Sequence, residues 1–98
     1  MNEKVLYKEK LLIFIIERLT NITSLDKANI NYETFLIGND KIIKSSELFD
    51  LFMDLEIFAK DSGYIFDWPQ MILKNTNNGS SLTIEDLIKY ILKENKIS

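Results

Sequence analysis

The sequence predicts an all-α fold with the element order helix, long loop, helix, short helix, helix. Three observations carry this expectation. Apolar residues recur at helical spacing over residues 45–60 and again after Thr83, residues 3–20 run without a breaker between charged flanks, and 98 residues contain only three glycines and one proline. Residues 1–98 are read as one domain, because a chain of this length buries one modest core and cannot also house a deep catalytic cleft. With 46% hydrophobic and 28% charged residues, the composition is that of an ordinary globular protein rather than a disordered one.

The first helix is expected over residues 3–20, from Val5, Leu6, the apolar run 11–16 and Leu19 among Lys and Glu. That run contains three isoleucines and would also suit a buried strand; length and charged flanks favour the helix. Residues 21–44 read as a long, partly packed loop, with turn-forming Asn, Thr, Ser and Asp, a Gly38-Asn39-Asp40 punctuation, and apolar anchors at Ile30, Tyr32, Phe35, Leu36 and Ile37. A loop of more than about 15 residues either holds a short helical turn or leads to a working site. The second helix, over residues 45–60, has Leu48, Leu51, Phe52, Leu55 and Phe58 along one face, and Ser45 or Ser46 is placed to cap it. Asp61-Ser62-Gly63 is a stop. Asp67-Trp68-Pro69 opens a short helix to about Leu73, because proline is tolerated in a first turn. A polar turn follows over 75–81, and then a last helix begins at Thr83, with Glu85 and Asp86 in its first turn and Ile84, Leu87, Ile88, Ile91 and Leu92 apolar.

The net charge of -3 argues against a nucleic-acid partner, since that affinity comes from Lys and Arg displacing condensed counterions. The chain has neither cysteine nor histidine, so disulfides, thiolate metal sites and histidine-based acid–base catalysis are excluded. No carboxylate pair is spaced around an evident pocket, and an enzyme is not expected. Residues 1–10 lack the apolar stretch of a secretory signal, and the longest apolar run is six residues against the roughly 20 of a membrane span. No membrane span is expected, and the cytoplasm is the expected compartment.

The segment Leu36-Ile37-Gly38-Asn39-Asp40-Lys41-Ile42-Ile43-Lys44-Ser45-Ser46-Glu47-Leu48-Phe49-Asp50-Leu51 resembles the region around the prosthetic-group serine of acyl and peptidyl carrier proteins. In that family a leucine, a glycine and a few variable residues lead to Asp-Ser-Leu and an acidic helix, and Ser45 falls on the serine. Leu82-Thr83-Ile84-Glu85-Asp86-Leu87-Ile88-Lys89-Tyr90-Ile91 resembles the family's closing helix with its threonine cap. The resemblance extends through the second helix to Glu56, and the two stretches together cover about a third of the chain. The resemblance implies a small four-helix bundle of acyl carrier type, with a long loop between its first and second helices and 4′-phosphopantetheine held covalently on Ser45. The partners it implies are a phosphopantetheinyl transferase, an adenylating enzyme that loads an acyl or aminoacyl group, and acyltransferases. It further implies that Glu47, Phe49, Asp50, Met53, Asp54 and Glu56 form the partner-binding face, and a monomer is expected. Lys44 stands where the family has Asp, and Ser46 where it has Leu.

Plainer readings stand beside these. Ser45 is equally suited to being a helix cap and nothing more. The carboxylates of the second helix also fit a solvated face, and Phe49 and Met53 fit a core. Tyr64 and Trp68 read as core or cavity wall. A carrier-like interaction module without a prosthetic group is the alternative function. The glycosylation triplets at Asn21 and Asn78 are expected by chance in an Asn-rich chain.

Overall fold

The computed structural model describes residues 3–77 and 81–97, with the backbone alone at 75–77. Helix α1 spans Glu3–Thr23 and buries Tyr7, Leu11, Ile15 and Leu19, a four-residue spacing that keeps one stripe inward. The helical period decides the ambiguity of the apolar run. Leu11 and Ile15 are fully buried, while Ile13 between them is 58% exposed, a distribution that strand alternation would not give. The helix runs three residues further than expected. Thr20 and Thr23 turn their hydroxyls back to the carbonyls of Ile16 and Leu19 at 2.8 and 2.7 Å, and Ser24 ends the helix at φ 63°.

The long loop is more ordered than its composition suggests. Asp26 caps a single 3₁₀ turn at Lys27–Asn29 by accepting from the Ala28 N–H, so the loop holds a short helical turn, one of the two alternatives read for it. Farther on, Phe35–Ile37 forms strand β1, paired antiparallel with β2 at Leu82–Thr83 through Phe35 opposite Thr83 and Ile37 opposite Leu82, with an irregularity between the pairs. This ribbon corrects the all-α expectation. Gly38 leaves β1 at φ +126°, and a Cβ there would stand 3.3 Å from the Ser81 Cβ. The position therefore wants glycine both for its backbone angle and for its close approach.

Helix α2 spans Ser45–Asp61 and buries Leu48, Leu51, Phe52, Leu55 and Ala59. Phe58 is only partly buried, stacked on Phe14 with ring centroids 4.4 Å apart. The helix stops where expected, with Gly63 at φ +86°. Helix α3, Trp68–Asn77, is opened by Asp67, whose carboxylate accepts from the Gln70 N–H at 3.1 Å. It continues past Leu73 into residues expected to turn, and residues 78–80 of the expected 75–81 turn lie outside the described residues.

Helix α4, Ile84–Glu94, begins as the sequence indicates. The Thr83 hydroxyl accepts from the Asp86 N–H, and the Asp86 carboxylate accepts from the Thr83 N–H. All five expected apolar residues of α4 are buried. Among the described residues the chain is thus mainly helical, with four helices and a two-stranded ribbon. Helix α1 packs on both α2 and α4, while the ribbon, with Ile84 and Glu85 donating to the Thr34 and Tyr32 carbonyls, ties the long loop to the start of α4. Among the described residues the core contains no buried charged side chain. The end of α1 and the segment entering α2 line one cleft.

Candidate functional site

Ser45 is the first residue of α2, and its cap is Lys44, which has the extended φ/ψ of a cap position. The expectation that Ser45 or Ser46 caps the helix is corrected on this point. The ammonium of Lys44 has donors only, so no side chain closes the first turn from the cap side. Instead Glu47 reaches back, its carboxylate accepting from the Lys44 N–H at 3.0 Å. Ser45 is left exposed, and among the described residues no hydrogen bond engages its hydroxyl. The residue suited to bear a group attached at Oγ is therefore not committed to holding the helix. An acceptor serine needs that exposure and freedom, and Ser45 fits the prosthetic group that the resemblance implies.

Beside Ser45 opens a cleft of about 490 Å³ between the last turn of α1 and the approach to α2. Ile22 and Thr23 form one wall; Lys41, Ile42, Ile43, Lys44, Ser45 and Glu47 form the other. The sequence drew attention to Lys44, Ser45 and Glu47 but singled out none of the other lining residues. Ile22 and Thr23 are some twenty residues away in the chain, and only the packing of α1 on α2 brings them here.

The structure sorts the four acidic residues expected on α2. Glu47 is engaged in the first turn. Asp54 pairs with Arg18 of α1 at 3.8 Å, an exposed pair of the kind that contributes about 0–1 kcal/mol. Glu56 accepts from the Trp68 indole N–H at 2.9 Å, across to α3. Asp50 is exposed, and among the described residues no hydrogen bond or ion pair engages its carboxylate. Two of these bonds link elements, so the carboxylates hold α2 in place as well as colouring its surface.

Phe49 and Met53 lie off the buried stripe, at 44% and 48% exposure. Trp68 covers part of Phe49, with ring centroids 5.6 Å apart, and also touches Phe52 at 5.9 Å. Trp68 is thus half-buried against the core, one of the two places its aromatic character suggested. Tyr64 likewise packs against the core, tilted against Tyr7 at 4.4 Å with its hydroxyl donating to Glu3. Ile57, at 60% exposure, continues the row Phe49, Met53, Ile57 at four-residue spacing. Sequence reasoning missed it, although extending the Phe49–Met53 spacing by one more turn reaches it. Phe49, Met53 and Ile57 on an otherwise acidic helix surface make a narrow apolar row suited to a partner.

Comparison with protein-family models, with curated proteins and with solved structures found no match to this chain. No helix among the described residues is long and apolar enough to cross a membrane. What the chain does is therefore read from the site itself.

Proposed function

We propose that this chain is an acyl carrier protein, which holds an acyl or aminoacyl group on a phosphopantetheine arm at Ser45 and presents it to partner enzymes. The observation that carries the reading is the exposed, uncommitted Ser45 hydroxyl in the first turn of α2. There the free N–H groups and the positive end of the helix dipole favour an attached phosphate. The order helix, long loop, helix, short helix, helix is compatible with a carrier-type four-helix bundle made by the whole chain.

In loading, Ser45 Oγ forms a new bond to the pantetheine phosphorus of coenzyme A and 3′,5′-ADP leaves. The serine proton passes to a base of a separate magnesium-dependent transferase. When bound, the arm supplies a terminal thiol for thioester chemistry and a tether that raises the cargo's effective concentration at partner sites. Everything else this chain contributes is recognition. Asp50, with the flanking carboxylates of Glu47, Asp54 and Glu56, attracts Arg and Lys, while Phe49, Met53 and Ile57 give the apolar contact that stabilises a docked complex. The partners in this reading are the transferase, an adenylating loader and acyltransferases, met by a cytoplasmic monomer that performs no chemistry of its own.

Lys44 and Ser46, in place of the family's Asp and Leu, favour a second reading in which the same face binds partners without any arm. Intact mass before and after incubation with coenzyme A, magnesium and a broad-specificity transferase separates the two. A gain of one phosphopantetheine mapped to Ser45, and its loss in Ser45→Ala, is the expected result. Because Ser45 is exposed and does not cap α2, Ser45→Ala is expected to change stability by no more than about 0.5 kcal/mol. No gain with this transferase or with that of the native host overturns the carrier reading.

A further inference from the structure

The cleft beside Ser45 has a volume of about 490 Å³, within the roughly 300–1,000 Å³ of small-molecule sites. Its lining divides by chemistry. Lys41 and Lys44, both exposed, bring two positive charges. Glu47 is the one acid among the lining residues, and its carboxylate is drawn to the start of α2 by the Lys44 N–H. Thr23 turns its hydroxyl to the Leu19 carbonyl, and the three remaining lining residues are branched aliphatic, Ile22 and Ile42 half-buried and Ile43 buried. A ligand fixed at Ser45 Oγ that begins with an anion and continues with a branched alkyl group matches this combination of surfaces. The beginning of a phosphopantetheine arm has that composition: a phosphodiester, then a carbon bearing two methyl groups.

Resting on the carrier reading, we infer that this cleft is the seat of the arm's first segment, with Lys41 and Lys44 holding the phosphodiester and Ile22 and Ile42 receiving the paired methyls. Two ammonium groups attract an anion that an aspartate at position 44 would repel, which gives Lys44 a positive role beside the attachment point. None of the residues lining the seat belongs to the row Phe49, Met53, Ile57, so the docking row stays free while the arm is seated. The thiol end extends beyond this first segment.

The test is an isotope-filtered NMR experiment on the full chain, loaded with phosphopantetheine that is carbon-13 labelled in the paired methyls. Intact mass first establishes loading at Ser45. Cross-peaks from the labelled methyls to the Ile22 and Ile42 methyls in the wild-type protein are expected. The double variant Lys41→Gln/Lys44→Gln, whose side chains are exposed, is expected to lose them while Lys60→Gln keeps them. A loaded wild-type protein whose labelled methyls show no protein contact overturns the seat and leaves the carrier reading intact. A chain that takes up no arm overturns both.

Discussion

Tyr7 is 4% exposed, and its hydroxyl meets no hydrogen-bond partner among the described residues. The ring is well placed, tilted on Tyr64 at 4.4 Å and stacked over Phe58 at 6.5 Å, so its packing does not depend on the oxygen. A buried hydroxyl without a partner costs about 1–3 kcal/mol, and Tyr7→Phe is therefore expected to stabilise the fold by about 1 kcal/mol, read as a higher urea midpoint. The same residue sets an alkaline limit. Burial pushes the Tyr7 phenol above its ordinary 10.0. A raised folded-state value means that its contribution is fully present below the unfolded value and is lost as pH rises through the folded one. Tyr32 and Tyr90 shift upward too, first by desolvation, so Tyr7→Phe is expected to flatten the loss of stability above about pH 10 without abolishing it. Urea melts at neutral and alkaline pH check both expectations together. The buried hydroxyl was not legible in the sequence, where Tyr7 stands among charges. At α2, by contrast, the three-residue link from Lys44 to Glu47 is a local pattern open to sequence reading, whereas the Glu56–Trp68 bond depends on how α3 folds back.

Helix α4 was the most legible element, because its start is written in a reciprocal cap and its apolar residues keep one face over three turns. Removing the cap in Thr83→Ala is expected to cost about 0.5–2 kcal/mol, well above the change expected for Ser45→Ala. Equal losses in the two variants, measured by chemical denaturation, would contradict the placement of the caps. The ribbon escaped the sequence for a physical reason. Strands of three and two residues are too short to show alternation, and their pairing joins positions some 45 residues apart. Phe35, Leu36 and Ile37 were recognised as apolar anchors, but not as a strand, since anchoring in a loop and pairing in a ribbon demand the same residues. Helix α3 was begun correctly from Asp67 and Pro69. Its end was misjudged because Asn and Thr disfavour helix interiors only weakly, by fractions of a kcal/mol per residue.

At the scale of the whole molecule, one core serves all four helices, and what remains outside is asymmetric. Leu11, Ile15, Leu51, Phe52, Leu87 and Ile91 are fully buried across α1, α2 and α4, so the inward stripe of each helix is already satisfied. Phe49, Met53 and Ile57 therefore do not stay exposed for want of a core to enter; they stand on a separate line of α2, beside Asp50 and Asp54. On the carrier reading this line is where partners dock, and Ile57 tests it most cleanly, being the most exposed of the three at 60%. Ile57→Lys puts a positive charge on a face that attracts basic partners and deletes an apolar contact there, while leaving the interior untouched. The melting temperature is expected to stay near that of the wild type. The KM of the phosphopantetheinyl transferase for the carrier is expected to rise about tenfold, equivalent to about 1.4 kcal/mol. Raising salt should weaken docking of the wild-type chain, whose attraction relies on exposed charges, and should narrow the gap to the variant. Unchanged KM in Ile57→Lys together with unchanged KM in Met53→Lys would remove the row Phe49, Met53, Ile57 from the docking surface.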